Sequence, residues 1–476
     1  MSHSRKPARA AAPSPGPRPL APVPASEASN LLPDLASEIV RRAVSSGATG
    51  AECTISEGDE FSASIRLREI ENLKEAGSRA AGLRILIGKK TGSCYTSDLS
   101  REGIDRLVRG AIELAEITTE DPHAGLPDPD ELGQIESDLA LFSPGVDRLT
   151  TEFKIEQAKQ AEAAALDADP RIVNSEGAGF DTHTGRQIFA NSLGFLGEYR
   201  TSYCSLSAVP VARDGESMER DSWWHAARSP ERLESPQHVG ATAARRALRR
   251  LNPVKVPTQK VPVVFESKVA ASLLDCICDA VHGMAIYKHE SFLAGKLGEK
   301  VAIANLTVVD DATIPGLFGT SPFDDEGVPS RRTVVIERGI LKSYLLNSYA
   351  ARKLGMKTTG NASRGLAGNA GIGHGNFYAE RGVQTPEAIV SGVANGFYVT
   401  ELIGMGVNIV TGDYSRGAAG LWIRNGEFAH AVSEVTIAGN LRDMLMNVEV
   451  IGSDLEFRTS MSCPTLKIGE MTVGGK

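Results

Sequence analysis

Between Val269 and Glu290, in the stretch VAASLLDCICDAVHGMAIYKHE, apolar residues recur at three- and four-residue steps: Val269, Leu273, Leu274, Ile277, Ala280, Val281 and Met284. That spacing predicts a helix with one buried stripe. The chain that follows reads as short strands and glycine turns, so the C-terminal half is expected to be β-rich with this one buried helix. Asp275, Cys278, Asp279 and His282 fall at i, i+3, i+4 and i+7 and share the opposite side.

A hydrolytic metal site needs imidazoles or carboxylates converging at ~2 Å on an ion that keeps an open position for water. The polar face offers such groups but no peptidase signature. His289-Glu290 opens like H-E-x-x-H, yet Leu293 and Ala294 follow, and the next histidine is His374. His289 therefore reads as a solvated residue at a helix end. Asp275, Asp279 and His282 read as a polar or subunit-facing patch, with an unorthodox metal site as the alternative. Cys276 and Cys278 point to different sides of a helix and cannot chelate as one unit, so they read as core thiols.

The length of 476 residues allows two to four domains with sizeable cores. A net charge of −8 gives no overall attraction to nucleic acid or an anionic membrane, and no apolar run approaches a bilayer span of roughly 20 residues. Six cysteines scattered from Cys53 to Cys463 fit reduced thiols in a cytoplasm. Residues 1–30 alternate Ala, Pro and Ser with a few basic residues and read as a disordered tail, the prolines interrupting any secretory apolar core.

The expected fold class is α+β: N-terminal α/β domains followed by the β-rich C-terminal domain. The boundaries read as 31–120 for an N-terminal domain, 121–252 for a middle domain and 253–476 for the C-terminal one. In the first, Leu35, Ile39, Val40 and Val44 make a helical stripe. Strands follow around Cys53–Ile55, Phe61–Leu67 and Leu83–Ile87, and an amphipathic helix capped by Ser100 runs to Ile117. The Pro/Gly/Asp-rich stretch from Asp121 to Asp147 is long enough to mark a boundary. The middle domain opens with a helix from Thr151 to Leu166, continues in strands, holds Trp223-Trp224-His225 as core aromatics, and ends in a basic helix, Pro236 to Leu251. The arginines of that helix (Arg245, Arg246, Arg249, Arg250) read as a solvated face. Beyond Pro253, Asn425-Gly426 supplies the backbone of a type I′ hairpin turn, and one short helix is expected near Pro386 to Asn395.

Three further motifs carry chemistry. Gly371-Ile-Gly-His-Gly375 resembles a phosphate cradle but lacks the strand before and the helix after it. Asp324-Asp325-Glu326-Gly327 reads as a turn, without the spaced carboxylates of a calcium loop. Thr411-Gly-Asp-Tyr-Ser-Arg-Gly417 gathers polar groups among glycines; it is either a structural turn or a substrate- or partner-contacting loop, through Asp413, Tyr414, Ser415 and Arg416.

At these residues the chain resembles the TldD/PmbA family. The resemblance is carried by FDDEGVPSRRTVVIERGILKSYLLNSYAARKLGMKTTGNA from Phe323, by VTELIGMGVNIVTGDYSRGAAGLWIRNGE from Val399 and by SEVTIAGNLRDM from Ser433, and it spans about Leu31 to Gly475. The family has two branches that pair as a heterodimeric metallopeptidase. The TldD-like branch carries H-E-x-x-x-H on the helix that matches Val269 to Gly283, plus a C-terminal cysteine. Here those three positions hold Leu274, Asp275 and Asp279, and Cys463 lacks the glycine-flanked setting, so no ligand role passes to it.

The departures match the PmbA (TldE) branch. The resemblance implies no cofactor in this chain, zinc in a TldD-like partner, and peptide hydrolysis by the pair on unfolded or flexible polypeptides in the cytoplasm. A homodimer is the expectation in the partner's absence, with no membrane and no direct nucleic-acid binding. Two other functions stand beside this one: an autonomous metal-dependent hydrolase using Asp275, Asp279 and His282, and a non-proteolytic regulator of the gyrase-modulator kind.

Overall fold

The computed structural model describes residues 31–475, so the Pro/Ala-rich stretch 1–30 lies outside the described residues. Helix α1 (Leu32–Ser45) buries Ala36, Ile39, Val40 and Ala43. Strands β1 (Gly50–Arg66), β2 (Glu69–Ile87) and β3 (Lys90–Thr96) follow, then helix α2 (Arg101–Ile117), whose first turn is capped where Ser100 Oγ accepts the Gly103 N–H. After helix α3 (Thr151–Leu166) come β4 (Ile172–Asn191), β5 (Leu196–Asp214), β6 (Ser217–Arg220), β7 (Trp223–Ala227) and helix α4 (Pro236–Leu248).

The stretches read as N-terminal and middle domains contribute to one sheet, ordered β3-β2-β1-β4-β5, with β6 and β7 both on β5. The join is the antiparallel pairing of β1 with β4, from Glu52↔Asn191 to Ile65↔Ala178. Two helix pairs cover it. Helices α1 and α2 bury an Ile/Leu/Ala cluster, and α3 and α4 pack Ala158, Ala161, Val239 and Ala243 around Phe180 and Leu206.

The strands are longer than the sequence suggests. Gly58-Asp59 does not interrupt β1, which pairs with β2 without a break there. The hairpin turn lies instead at Leu67 and Arg68, both with positive φ (51° and 70°). Neither residue favours that backbone. It is held by Glu162, buried on α3, whose carboxylate accepts the Leu67 N–H at 2.9 Å and the Arg68 N–H at 2.6 Å.

The C-terminal region holds strands β8 (Gln259–Phe265), β9 (Asn395–Ile403), β10 (Asp413–Arg424), β11 (Glu427–Asn440) and β12 (Leu466–Gly474). Their order is β11-β10-β9-β8-β12, and β11 also pairs with β12, so the ring closes into a barrel-like sheet. A second sheet centres on Val308–Asp311, flanked by Arg332–Glu337 and Asn376–Ala379. Asn425 and Gly426 adopt the left-handed backbone expected of their hairpin. The mixed α/β architecture with a β-rich C-terminal region is as expected, and the short helix at Pro386–Ser391 is present. Two further short helices, Ser348–Leu354 and Leu441–Met446, were not expected.

The N-terminal sheet and the C-terminal region are joined by charge. Glu52, 1% exposed on β1, meets Arg84 of β2 at 3.1 Å and Arg364 of the C-terminal region. At the end of α4, Arg246 and, just beyond the helix, Arg249 are both bonded to Glu266, and Arg250 is paired with Glu219 and Glu401. Arg245 is exposed as expected, but the other three are not solvated: Glu266 and Glu401 of the C-terminal region and Glu219 of β6 neutralise them. The Asp121–Asp147 stretch also lies against that region. Arg352 donates to the carbonyls of His123, Gly125 and Leu126, and Tyr349 donates to Asp121.

Burial alone would push the Glu52 carboxyl up, but Arg364 and Arg84 hold it below its ordinary value. A depressed acid contributes stability above its unfolded value and loses it as pH falls through the folded one. Glu52→Gln is expected to cost about 3–5 kcal/mol at pH 7 in urea unfolding, because two guanidinium groups lose their anion. The gap should shrink as the pH of the titration drops below about 4.

Candidate functional site

The predicted helix is present as α5 (Ser267–Ala280), with Val269, Leu273, Leu274, Ile277 and Ala280 buried. It does not run on to Glu290. The chain breaks at Val281, makes a bridge between His282 and Leu345, and restarts as α6 (Gly283–Tyr287). The cause is a close approach: a Cβ on Gly283 would lie 2.5 Å from Leu346 Cδ2 and 3.0 Å from Ala350 Cβ. His282 consequently becomes the N-cap of α6, its Nδ1 accepting the Met284 N–H at 3.3 Å. His289, with φ of 57°, is exposed beyond α6.

Leu274 faces the core, beside Leu306, Met444 and Ile468. Asp275 and Asp279 are exposed one turn apart on the other side of α5, with Cys278 half-buried between them. Burial pushes the Asp275 carboxyl up, while His374, followed by Arg416, draws it down. Asp279 is likewise raised by burial and opposed by His282 and His374. His374 is thus electrostatically linked to both aspartates. Its Nδ1 is hydrogen-bonded to the Gly375 carbonyl at 2.8 Å, which fixes the ring. The Gly371–Gly375 run that looked like a phosphate cradle instead pairs Gly371-Ile372 with Ala362-Ser363 and presents His374.

Strand alternation divides the loop residues Asp413, Tyr414, Ser415 and Arg416 at the start of β10. Asp413 and Ser415 are exposed, and the Asp413 carboxylate accepts from Thr411 Oγ1 (2.6 Å) and Asn440 Nδ2 (3.2 Å). Tyr414 is 1% exposed, and Arg416, which donates from Nε to the Gly404 carbonyl, reaches the α5 side near Asp275. Only Arg416 of the four joins the aspartates.

Asp275, Asp279 and His282 do not bring ligand atoms together. Among the described residues, the trio whose ligand atoms lie within 4.8 Å of one another is His225, Glu234 and Glu456. Arg458 is bonded to both of those carboxylates and lies 4.1 Å from the Trp223 ring centroid, so the cation this group needs is already supplied.

Beside His374 a cavity of about 450 Å³ opens between β4–β5 and the C-terminal region. His183, Tyr199 and Tyr203 form one wall; Phe318, Phe323 and His374 form the other. Asp324 lies beneath it. Burial pushes its carboxyl up to about 8, against the backbone N–H groups of Glu326, Val328 and Ala362 that its two oxygens accept. The Asp324–Gly327 run is the turn expected, with Gly327 N–H bonded to the Asp324 carbonyl. The cavity was not foreseen. Its residues are scattered from 183 to 375, and only the glycine-flanked His374 and the Asp324-Asp325 run gave a local signal.

Family models described as PmbA/TldA metallopeptidase domain 1, central domain and C-terminal domain match residues 51–115, 144–251 and 258–475. A metalloprotease PmbA of Escherichia coli O157:H7 is 40% identical over 90% of this chain and 92% of its own length. A PmbA homologue of Haemophilus influenzae is 37% identical over 92% and 94%. The crystal structure of TldE from Thermococcus kodakarensis shares the fold, with a TM-score of 0.83 over 93% of this chain and all of that one, at 22% identity. No described helix is long and apolar enough to cross a membrane.

The paired aspartates carry a direct expectation. A carboxyl raised in the folded state holds extra protons there, so its stability contribution is present at low pH and declines as pH rises past the ordinary aspartate value. Asp279→Asn should therefore raise stability at pH 7.5 by about 0.2–0.5 kcal/mol, the scale of i,i+4 like-charge repulsion, and change little at pH 4. Thermal melts at the two pH values check this.

Proposed function

The chain belongs to the TldD/PmbA family, in its PmbA (TldE) branch, and from that premise we propose that it is the non-catalytic, substrate-enclosing subunit of a heterodimeric metallopeptidase. The pair would act on unfolded or flexible peptides in the bacterial cytoplasm. The observation that carries this reading is Leu274. By the resemblance, it stands where the TldD-like branch would place its first zinc ligand; its alkyl side chain is buried among apolar neighbours, with no donor to offer. The residues at the other two positions, Asp275 and Asp279, face His374 and Arg416 rather than a third ligand. The helix does not fit zinc, and no hydrolytic step is assigned to it.

Enclosure is supported by the aromatic-walled cavity between β4–β5 and the C-terminal region. The zinc-bearing partner would supply the Lewis acid and the water-activating carboxylate.

The chain purified alone is expected to carry well under one zinc per molecule and to leave a disordered peptide intact, whereas a mixture with a TldD-like subunit cleaves it. Stoichiometric zinc that disappears in Asp279→Ala or His282→Ala would sink the proposal in favour of an autonomous hydrolase. A mixture that forms a complex but never cleaves would favour a non-proteolytic regulator.

A further inference from the structure

We infer, resting on the peptide-enclosing role above, that the interdomain cavity is a pocket for the carboxyl-terminal residue of a peptide: a large aromatic or aliphatic side chain with a free α-carboxylate facing Arg228. Arg228 follows β7 and is 9% exposed at the cavity wall. Its guanidinium donates to the carbonyls of Ser202 (3.3 Å), Leu317 (3.1 Å) and Phe318 (3.3 Å), and its buried Nε has no partner. The other arginines with side chains buried to this degree, Arg84, Arg246 and Arg364, each face a carboxylate. A buried cation without a counter-charge is costly, and a carboxylate is the anion that matches the guanidinium fork.

The aromatic walls set the size and character of the residue. Tyr199 meets Phe323 edge-on at 5.5 Å, and Tyr203 meets Phe318 edge-on at 6.4 Å. Rings so arranged accept another ring or a branched aliphatic group. A volume of about 450 Å³ is within the range of small-ligand pockets.

Asp324 and Asp325 line the same cavity and would repel an anion if both were ionised. Burial pushes both carboxyls up, and Arg364, whose backbone N–H donates to Asp325 at 2.7 Å, sets a positive charge beside it. Arg228 keeps its charge under all ordinary conditions. His374 belongs to both the cavity wall and the α5 polar face, so a chain end seated here leaves the preceding peptide running toward Asp275 and Asp279.

The test uses the full chain and fluorescein-labelled hexapeptides read by anisotropy: one ending in Phe with a free carboxylate, its C-terminal amide, a free-acid version ending in Gly, and an amide with Asp before the Phe. The free-acid Phe peptide should bind at least about tenfold more tightly than the amide and the Gly peptide. Arg228→Gln should erase the acid-over-amide difference. Tyr203→Leu should reduce the Phe-over-Gly difference and leave the acid preference in place. Equal binding of acid and amide by the native chain overturns the inference, whether or not Arg228→Gln folds. So does an Asp-Phe amide that binds as well as the free acid, which would move the carboxylate to a side chain. Cleavage by the two-subunit mixture without regard to the chain end sinks the pocket and spares the subunit reading. A chain-end preference with no cleavage by the mixture does the reverse.

Discussion

Glu52 is a carboxylate with almost no access to water, and it is tolerable only because two guanidinium groups reach it from different parts of the chain. Arg84 comes from the neighbouring strand; Arg364 comes from the C-terminal region. A buried ion of this kind adds little net stability over an apolar substitute, but it fixes a partner and a geometry, since any other docking would leave charge unpaired. The cavity walls belong to the two bodies this cluster joins, so their separation depends on it. Arg246 and Arg249 with Glu266 repeat the device at the far end of α4, and Arg352 pins the connecting stretch to the same region.

Within the C-terminal region, α5 separates two environments by its own periodicity. Its apolar stripe, Leu274 included, completes the core beneath the barrel-like sheet, while Asp275 and Asp279 look toward His374. Leu274 adds buried apolar area to that core, worth roughly 1.5–3 kcal/mol for a fully buried aliphatic side chain. The helix is therefore anchored by that stripe while its polar face stays free.

What was legible in the sequence had local causes. The stripes of α1, α2 and α5, the Ser100 cap and the Asn425-Gly426 turn each follow from residues within a few positions of one another. What was not legible had distant ones. The Leu67–Arg68 turn carries no glycine or asparagine because Glu162, 95 residues away from Leu67, supplies the restraint. The predicted helix through Glu290 breaks because of how Gly283 meets Leu346 and Ala350, neither of which is near in sequence. Arg246, Arg249 and Arg250 looked solvated because Glu266 and Glu401 lie outside that segment. In the loop at Asp413–Arg416, composition drew attention to four residues, but a strand can aim only alternate ones at the same neighbour: Tyr414 and Arg416 turn toward α5, and Arg416 is the one beside Asp275.

The distance along the chain between Glu52 and Arg364 has a consequence for how the protein is made. The two are 312 residues apart. At roughly 5–20 residues per second, a ribosome needs roughly 15–60 s to go from one to the other. During that interval the emerging N-terminal sheet holds an acid that only Arg84 can neutralise, on a surface not yet covered. Once β4 to β7 have joined its sheet, the first half of the protein is thus left with its seam open until translation delivers the residue that closes it.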